Sequence, residues 1–197
     1  MREQSQRLFV AVVPPAHVLE HLDELIGPMR ESRPDLSWVA PRTRHITVTF
    51  MPHVEPDVAA RLPDAIGRVT SELSPTRISL AGSGHFDERV LWAGLAGDVD
   101  GLEQIASAVV SAVAGVGAGP ESRRQFRPHL SLARASGPLD AHIGPLAEQL
   151  DAYAGPVWQV DELVLVRSFL GRSAHHETIA EFPLGGPPRL AHSDAAE

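Results

Sequence analysis

Apolar and polar positions along this chain follow two different periods, and the switches between them mark its elements. Arg7–Val13 (RLFVAVV) is an unbroken, β-branched apolar run of the kind found in buried strands, and Pro14-Pro15 ends it. From Ala16 to Met29 the spacing turns helical through Val18, Leu19, Leu22, Leu25 and Ile26. A brief strand is predicted at Ser37–Val39, and His45–Phe50 (HITVTF) alternates strictly. On a regular strand His45, Thr47 and Thr49 would share one face, with Ile46, Val48 and Phe50 on the other. A proline-punctuated helix is expected over Pro56–Leu73. Strands are expected at Arg77–Leu80 and Arg89–Leu95, with irregular chain around Gly82–Gly84 and Phe86–Glu88.

The second half repeats this order loosely. Gly101–Val116 has helical periodicity and a glycine-rich loop follows it. His129–Arg134 (HLSLAR) alternates again, with His129, Ser131 and Ala133 on one face and Leu130 and Leu132 on the other. A helix near Leu139–Ala152, one long strand through Val157–Phe169 and a final strand near Glu177–Leu184 complete the pattern. Residues 1–185 therefore read as a single domain. The polar, Gly- and Pro-rich residues 186–197 read as a disordered tail. Strands often follow one another without an intervening helix, which indicates an α+β fold of antiparallel sheets with helices packed outside.

Composition narrows the chemistry. Cysteine is absent, so thiol nucleophiles, disulfides and cysteine-ligated zinc are excluded. The net charge of −8 argues against a broad nucleic-acid-coating face, although a few local arginines can still serve one phosphate. The apolar start of the chain is too short for a membrane span, and a soluble cytoplasmic monomer is the expectation.

The two alternating strands carry the chemistry. Each reads His, apolar, Thr or Ser, apolar, and residues two apart on a strand lie roughly 6.5–7 Å apart and point the same way. An imidazole and a hydroxyl so placed can address two oxygens of one phosphate. Opening a cyclic phosphodiester needs a proton taken from water on one side of phosphorus and a proton given to the leaving oxygen on the other. Histidine performs either role near neutral pH. Two such strands facing each other supply a base, an acid and two oxyanion donors, with no metal or cofactor required.

With these motifs and their flanks (RLFVAVVPP, HITVTF, FDERVLWAGL, FRPHLSLAR and LVLVRSFLG…EFPL), the chain resembles the 2H phosphoesterase superfamily. Within it, the resemblance is to the RNA 2′,3′-cyclic phosphodiesterases also described as 2′-5′ RNA ligases. The resemblance implies a two-lobed, pseudo-twofold α+β 2H phosphoesterase (LigT-like) fold, with antiparallel sheets lining a central cleft. It implies His45 as proton donor to the leaving 3′ oxygen and His129 as proton acceptor from water. Thr47 and Ser131 would hold the phosphate, and the product would be a 2′-phosphomonoester on an RNA end or small cyclic nucleotide. Arg134 ends the second motif as the family's arginine does and is a candidate phosphate contact, but regular alternation would place it opposite the His129 face. The family commonly carries Tyr where His176 stands.

The remaining polar residues are weaker candidates. Arg42, Arg44, Arg123, Arg124 and Arg127 flank the motifs and could form an electropositive rim, or simply solvated loops. His175-His176 are neighbours on a strand, point to opposite faces, and make no zinc site. Two other readings stay open. One is the same fold acting on a different cyclic or 2′,5′-linked nucleotide; the other is a non-catalytic RNA-end-binding module.

Overall fold

The computed structural model describes residues 5–119, 126–135, 143–171 and 175–190. Its strands are β1 (Gln6–Val12), β2 (Leu36–Trp38), β3 (Ile46–Val54), β4 (Thr76–Phe86), β5 (Val90–Gly97), β6 (Leu130–Ala135), β7 (Ala154–Val160), β8 (Glu162–Phe169), β9 (His175–Pro183) and β10 (Arg189–Leu190). The helices are α1 (Ala16–Ser32), α2 (Pro56–Ala59), α3 (Leu62–Thr70), α4 (Val99–Gly115) and α5 (Gly144–Leu150). All strand pairs are antiparallel, in the order β10-β9-β8-β1-β3-β6-β5-β4-β7, with β2 also paired to β6.

That order folds back on itself about the β3–β6 junction. Four strands on one side (β3, β1, β8, β9) correspond to four on the other (β6, β5, β4, β7), giving two pseudo-twofold lobes. Each lobe turns one face inward to a core that runs through both. The buried stripe of α1 (Val18, Leu22, Ile26, Met29) and that of α4 (Leu102, Ile105, Ala106, Val109, Val113) recur at helical spacing and join this core. The helices cross between lobes: α1 follows β1 but packs on β7, and α4 follows β5 but also packs on β3. Burial of one helix thus fastens both halves.

Several boundaries differ from the sequence expectation. The run expected as one strand over Val157–Phe169 is two strands at distant places in the sheet, parted at Asp161. The positions that join the main core switch from even (Trp158, Val160) to odd (Leu163, Leu165) at that point, while Val164 and Val166 are buried on the opposite face. A connection of one residue reaches only a few ångströms, so the sheet must curl until β7 and the start of β8 meet. The expected Pro56–Leu73 helix is broken into α2 and α3. Strand β4 continues past Leu80 through a bulge, with Gly82 at φ +61°, to a hairpin turn at Asp87-Glu88. Both turn residues lie in the left-handed region, and the Glu88 carboxylate accepts hydrogen bonds from the Ile143 and Gly144 amides, which holds the turn in place. The two-residue strand β10 falls within the residues assigned to the tail: Arg189 and Leu190 pair with Glu181 and Ala180 of β9. Residues 191–197 lie outside the described residues, as does the start of the helix expected at Leu139.

Strands β3 and β6 share one further feature. Each carries a single-residue bulge just after its His-x-Thr/Ser motif. Val10 pairs with Thr49 but Ala11 with Thr47, leaving Val48 extra; Leu91 pairs with Ala133 but Trp92 with Ser131, leaving Leu132 extra. A bulge resets the alternation of the residues beyond it. Thr49 and Ala133 therefore turn to the core, whereas regular alternation would put them on the histidine face, and both are buried. Phe50 and Arg134 turn the other way. Thr49 is 5% exposed, and its Oγ1 is buried without a hydrogen-bond partner among the described residues. Replacing it by isosteric valine removes that unsatisfied group. Thr49→Val is expected to stabilise the fold by about 1 kcal/mol, read as a raised urea or thermal midpoint; an equal or lowered midpoint contradicts this placement of the hydroxyl.

Candidate active site

His45 is the residue immediately before β3, and His129 the residue immediately before β6. The two strands pair through Ile46 and Leu130, both fully buried. Because the strands are antiparallel, continuing this register by one residue sets His45 opposite Ser131 and Thr47 opposite His129. All four lie on the face away from the core, so each histidine neighbours the other motif's hydroxyl. The pairing converts two separate sequence motifs into one crossed quartet.

Each imidazole is fixed in the same way. Nδ1 of His45 meets the Thr43 carbonyl at 2.8 Å, and Nδ1 of His129 meets the Arg127 carbonyl at 2.7 Å. A carbonyl only accepts, so Nδ1 must carry the proton in both rings. This leaves Nε2 free to take or give one. Ring packing sets the orientation: His45 stacks on Phe9 at 4.5 Å and 20°, while His129 meets the Phe86 ring edge-on at 5.0 Å and 83°. Trp92 lies beyond Phe86, 6.1 Å from His129, flat against Gly84. A β-carbon on Gly84 would fall inside the indole, so only glycine admits it there.

Burial holds both histidines below the ordinary imidazole range. The carbonyl bonds oppose this in part. For His45 the nearby charges of His176, His129 and Arg134 push further down, and for His129 that of Arg134 does the same. Arg134 thus acts on both imidazoles. Regular alternation would have turned it away; the bulge at Leu132 returns it, exposed, to the His129 and Ser131 face.

Other residues flanking the motifs separate. Arg44 is not part of any rim: its side chain is 0% exposed, bonded through Nη2 to Asp23 at 2.9 Å and through Nε to the Val39 carbonyl. It ties the segment before His45 to α1. Arg42 and Arg127 are exposed, and Arg123 and Arg124 lie outside the described residues. His176 packs edge-on against Phe9 at 5.0 Å and His45 at 5.7 Å, while His175 stacks on Phe169. The adjacent histidines do point to opposite faces. Among the described residues no three His, Asp or Glu side chains gather into a ligand set for a metal ion, and no helix is long and apolar enough to cross a membrane.

Sequence reasoning missed Phe9, Phe86 and Trp92. Phe9 sits in a run apolar on both faces, so its strand gave no sign of which side met a histidine. Phe86 lay in chain taken as irregular, and Trp92 in an expected strand (Arg89–Leu95) whose facing was not assigned.

A fold of two lobes about a cleft, with crossed His-x-Thr/Ser pairs at its centre, places the chain among known proteins. The family model described as the 2′-5′ RNA ligase superfamily matches residues 14–171, and the chain belongs to that superfamily. An RNA 2′,3′-cyclic phosphodiesterase of Geobacillus stearothermophilus is 32% identical over 184 residues, covering 91% of this chain and 58% of its own length. This chain thus spans little more than half of that relative. A second protein of that name, from Aquifex aeolicus, is 25% identical over 76% of this chain and 82% of its own. Among solved structures, apo LigT of E. coli superimposes with a TM-score of 0.71 at 24% identity, covering 92% of this chain and 98% of its own. A Thermus thermophilus protein does so with a TM-score of 0.73 at 25% identity, covering 91% and 98%.

One electrostatic consequence is directly measurable. Removing the guanidinium in Arg134→Ala takes away a positive charge that disfavours imidazolium at both histidines. Both should then titrate at higher pH than in the parent, followed by two-dimensional NMR of the ring protons and carbons. If neither resonance set moves, Arg134 does not face the cleft.

Proposed function

We propose that this protein hydrolyses 2′,3′-cyclic phosphodiester ends of RNA, or small 2′,3′-cyclic nucleotides, to 2′-phosphomonoesters, without a metal. The observation that carries this is the crossed quartet at the Ile46–Leu130 pair, which offers two free Nε2 atoms and two hydroxyls to a single phosphate. Two relatives named RNA 2′,3′-cyclic phosphodiesterase support the substrate class. A binding module would need neither proton-transfer group, which disfavours the non-catalytic reading.

Catalysis begins as Nε2 of His129 takes a proton from water while the water oxygen bonds to phosphorus. The P–O3′ bond breaks, and Nε2 of His45 gives its proton to O3′. Thr47 and Ser131 donate hydrogen bonds to non-bridging oxygens, and Arg134 offsets their negative charge. Because burial disfavours imidazolium, His45 holds its proton poorly in the free enzyme and transfers it readily.

Single substitutions His45→Ala and His129→Ala are expected to lower turnover of a 2′,3′-cyclic nucleotide by roughly 10²–10⁴-fold each. The double variant should lose far less than their product, because the two act as one unit. Thr47→Ala and Ser131→Ala should lose less than either histidine variant. Activity should persist in EDTA. A folded histidine variant with near-parent turnover, or EDTA inactivation reversed by a divalent ion, would refute the mechanism.

The pH dependence follows from the depressed histidines. kcat/KM requires His45 protonated and His129 neutral. Both lose their protons below the ordinary value, so kcat/KM should already be falling as pH rises past about 6.5, and should fall again in acid as His129 protonates. Bound phosphate attracts the His45 proton, so the kcat profile should lie to the alkaline side of the kcat/KM profile. A kcat/KM that climbs steadily through neutral pH into the alkaline range contradicts these assignments.

A further inference from the structure

The two lobes are alike in strand order but not in what surrounds their histidines. Beside His45 the cleft face has an apolar floor: Phe9, Ala11, Val164 and Val166 form a buried cluster with Phe50 against it. Beside His129 there is room. A cavity of about 550 Å³ opens next to that ring, with His129, Phe86, Trp92 and Phe126 among its lining residues. That size suits a small ligand. Glu103 and Asp151 also line it, with Arg127 beside His129. Two carboxylates repel phosphate, so the RNA backbone is not the occupant. They accept hydrogen bonds from amino groups, and the aromatic walls offer flat surfaces to a planar ring.

We infer that this cavity seats the nucleobase of the nucleotide carrying the cyclic phosphate, and that it thereby determines which P–O bond breaks. This rests on the phosphodiesterase reading above. In a 2′,3′-cyclic phosphate the base hangs from C1′, beyond C2′, while the 5′ chain leaves from C4′, beyond C3′. For P–O3′ cleavage, water must enter in line opposite O3′, and the five-membered ring geometry places that entry toward the C2′–C1′ end. A base held beside His129 therefore brings the entering water to His129 and turns O3′ toward His45. The reversed pose would break P–O2′, but it would take the base away from this cavity and its carboxylates, onto the apolar floor beside His45. The asymmetry of the lobes, which the near-identical motifs lack, thus selects the 2′-phosphomonoester. Adenine, cytosine and guanine each carry an amino group for Glu103 or Asp151, and uracil carries none.

The test compares hydrolysis of 2′,3′-cyclic AMP, CMP, GMP and UMP by the parent protein and by Trp92→Ala, Phe126→Ala and the pair Glu103→Gln with Asp151→Asn, separating 2′- from 3′-monophosphate by chromatography. The parent should favour the amino-bearing bases over uracil by roughly threefold to tenfold, the scale of one hydrogen bond, and the carboxylate variant should lose that preference. Loss of either aromatic wall should raise KM by roughly 5- to 100-fold, as for a lost base stack, and let 3′-monophosphate appear. Phe126→Ala serves this purpose if Trp92→Ala, which leaves a void over Gly84, does not fold. Unchanged KM in a folded aromatic variant, with product still purely 2′, overturns the inference. If the parent hydrolyses none of the four, the phosphodiesterase reading fails by itself. Fluorescence titration with guanosine, which has no phosphate, then decides the cavity separately: quenching lost in Trp92→Phe supports a base seat, and no quenching overturns it.

Discussion

Everything about this site depends on one short contact between strands, the pairing of β3 with β6 at Ile46 and Leu130. Both side chains are fully buried, so the register there is held by the core. A slip of one residue would send Ile46 or Leu130 to the cleft and a histidine toward the core, at the cost of burying a polar ring among apolar side chains. The same contact joins the two lobes at the centre of the sheet. Helices α1 and α4, each crossing to the lobe it does not follow in sequence, brace that junction from the core side. The geometry of the two His-x-Thr/Ser pairs and lobe association are therefore held by the same packing.

The bulges at Val48 and Leu132 change which side chains this arrangement presents. They release both strands from strict alternation directly beyond the hydroxyls, placing Phe50 on one side of the cleft face and Arg134 on the other. A pseudo-twofold scaffold thus carries an apolar side chain at one position and a cation at its counterpart. The lobes share a plan, and their differences give the cleft a direction. His176 belongs to the same face, edge-on to Phe9 and His45, and burial with the nearby His175 keeps it below the ordinary imidazole range. Its ring contributes shape to the His45 side near neutral pH more than charge.

Much of this was legible in the sequence. The paired His-x-Thr/Ser strands, the helices at Ala16 and Gly101 and the antiparallel α+β class follow from hydrophobic period and turn residues alone. What was not legible has common causes. A bulge adds one residue without changing composition, so the turning of Thr49 and Arg134 could not be read from alternation. The break at Asp161 shows in the sequence only as the acidic pair Asp161-Glu162 and a change of parity in the core positions, within a run otherwise suited to one strand. Arg44, which looks like a rim cation beside His45, is a buried partner of Asp23, because a guanidinium's burial depends on an acid supplied by a distant helix. Phe9, Phe86 and Trp92 were invisible as site residues because contacts across a sheet face depend on tertiary pairing that local sequence does not encode.

The central claim is that the two motifs grip one phosphorus from opposite sides. A crystal structure of the protein bound to a nucleoside vanadate, whose five-coordinate vanadium imitates phosphorus under attack, tests it most directly. The account predicts vanadium between the two rings, with Nε2 of His129 and Nε2 of His45 on opposite apical oxygens and the hydroxyls of Thr47 and Ser131 on equatorial ones. Vanadium held by one histidine alone, or with both imidazoles on the same side, would contradict it.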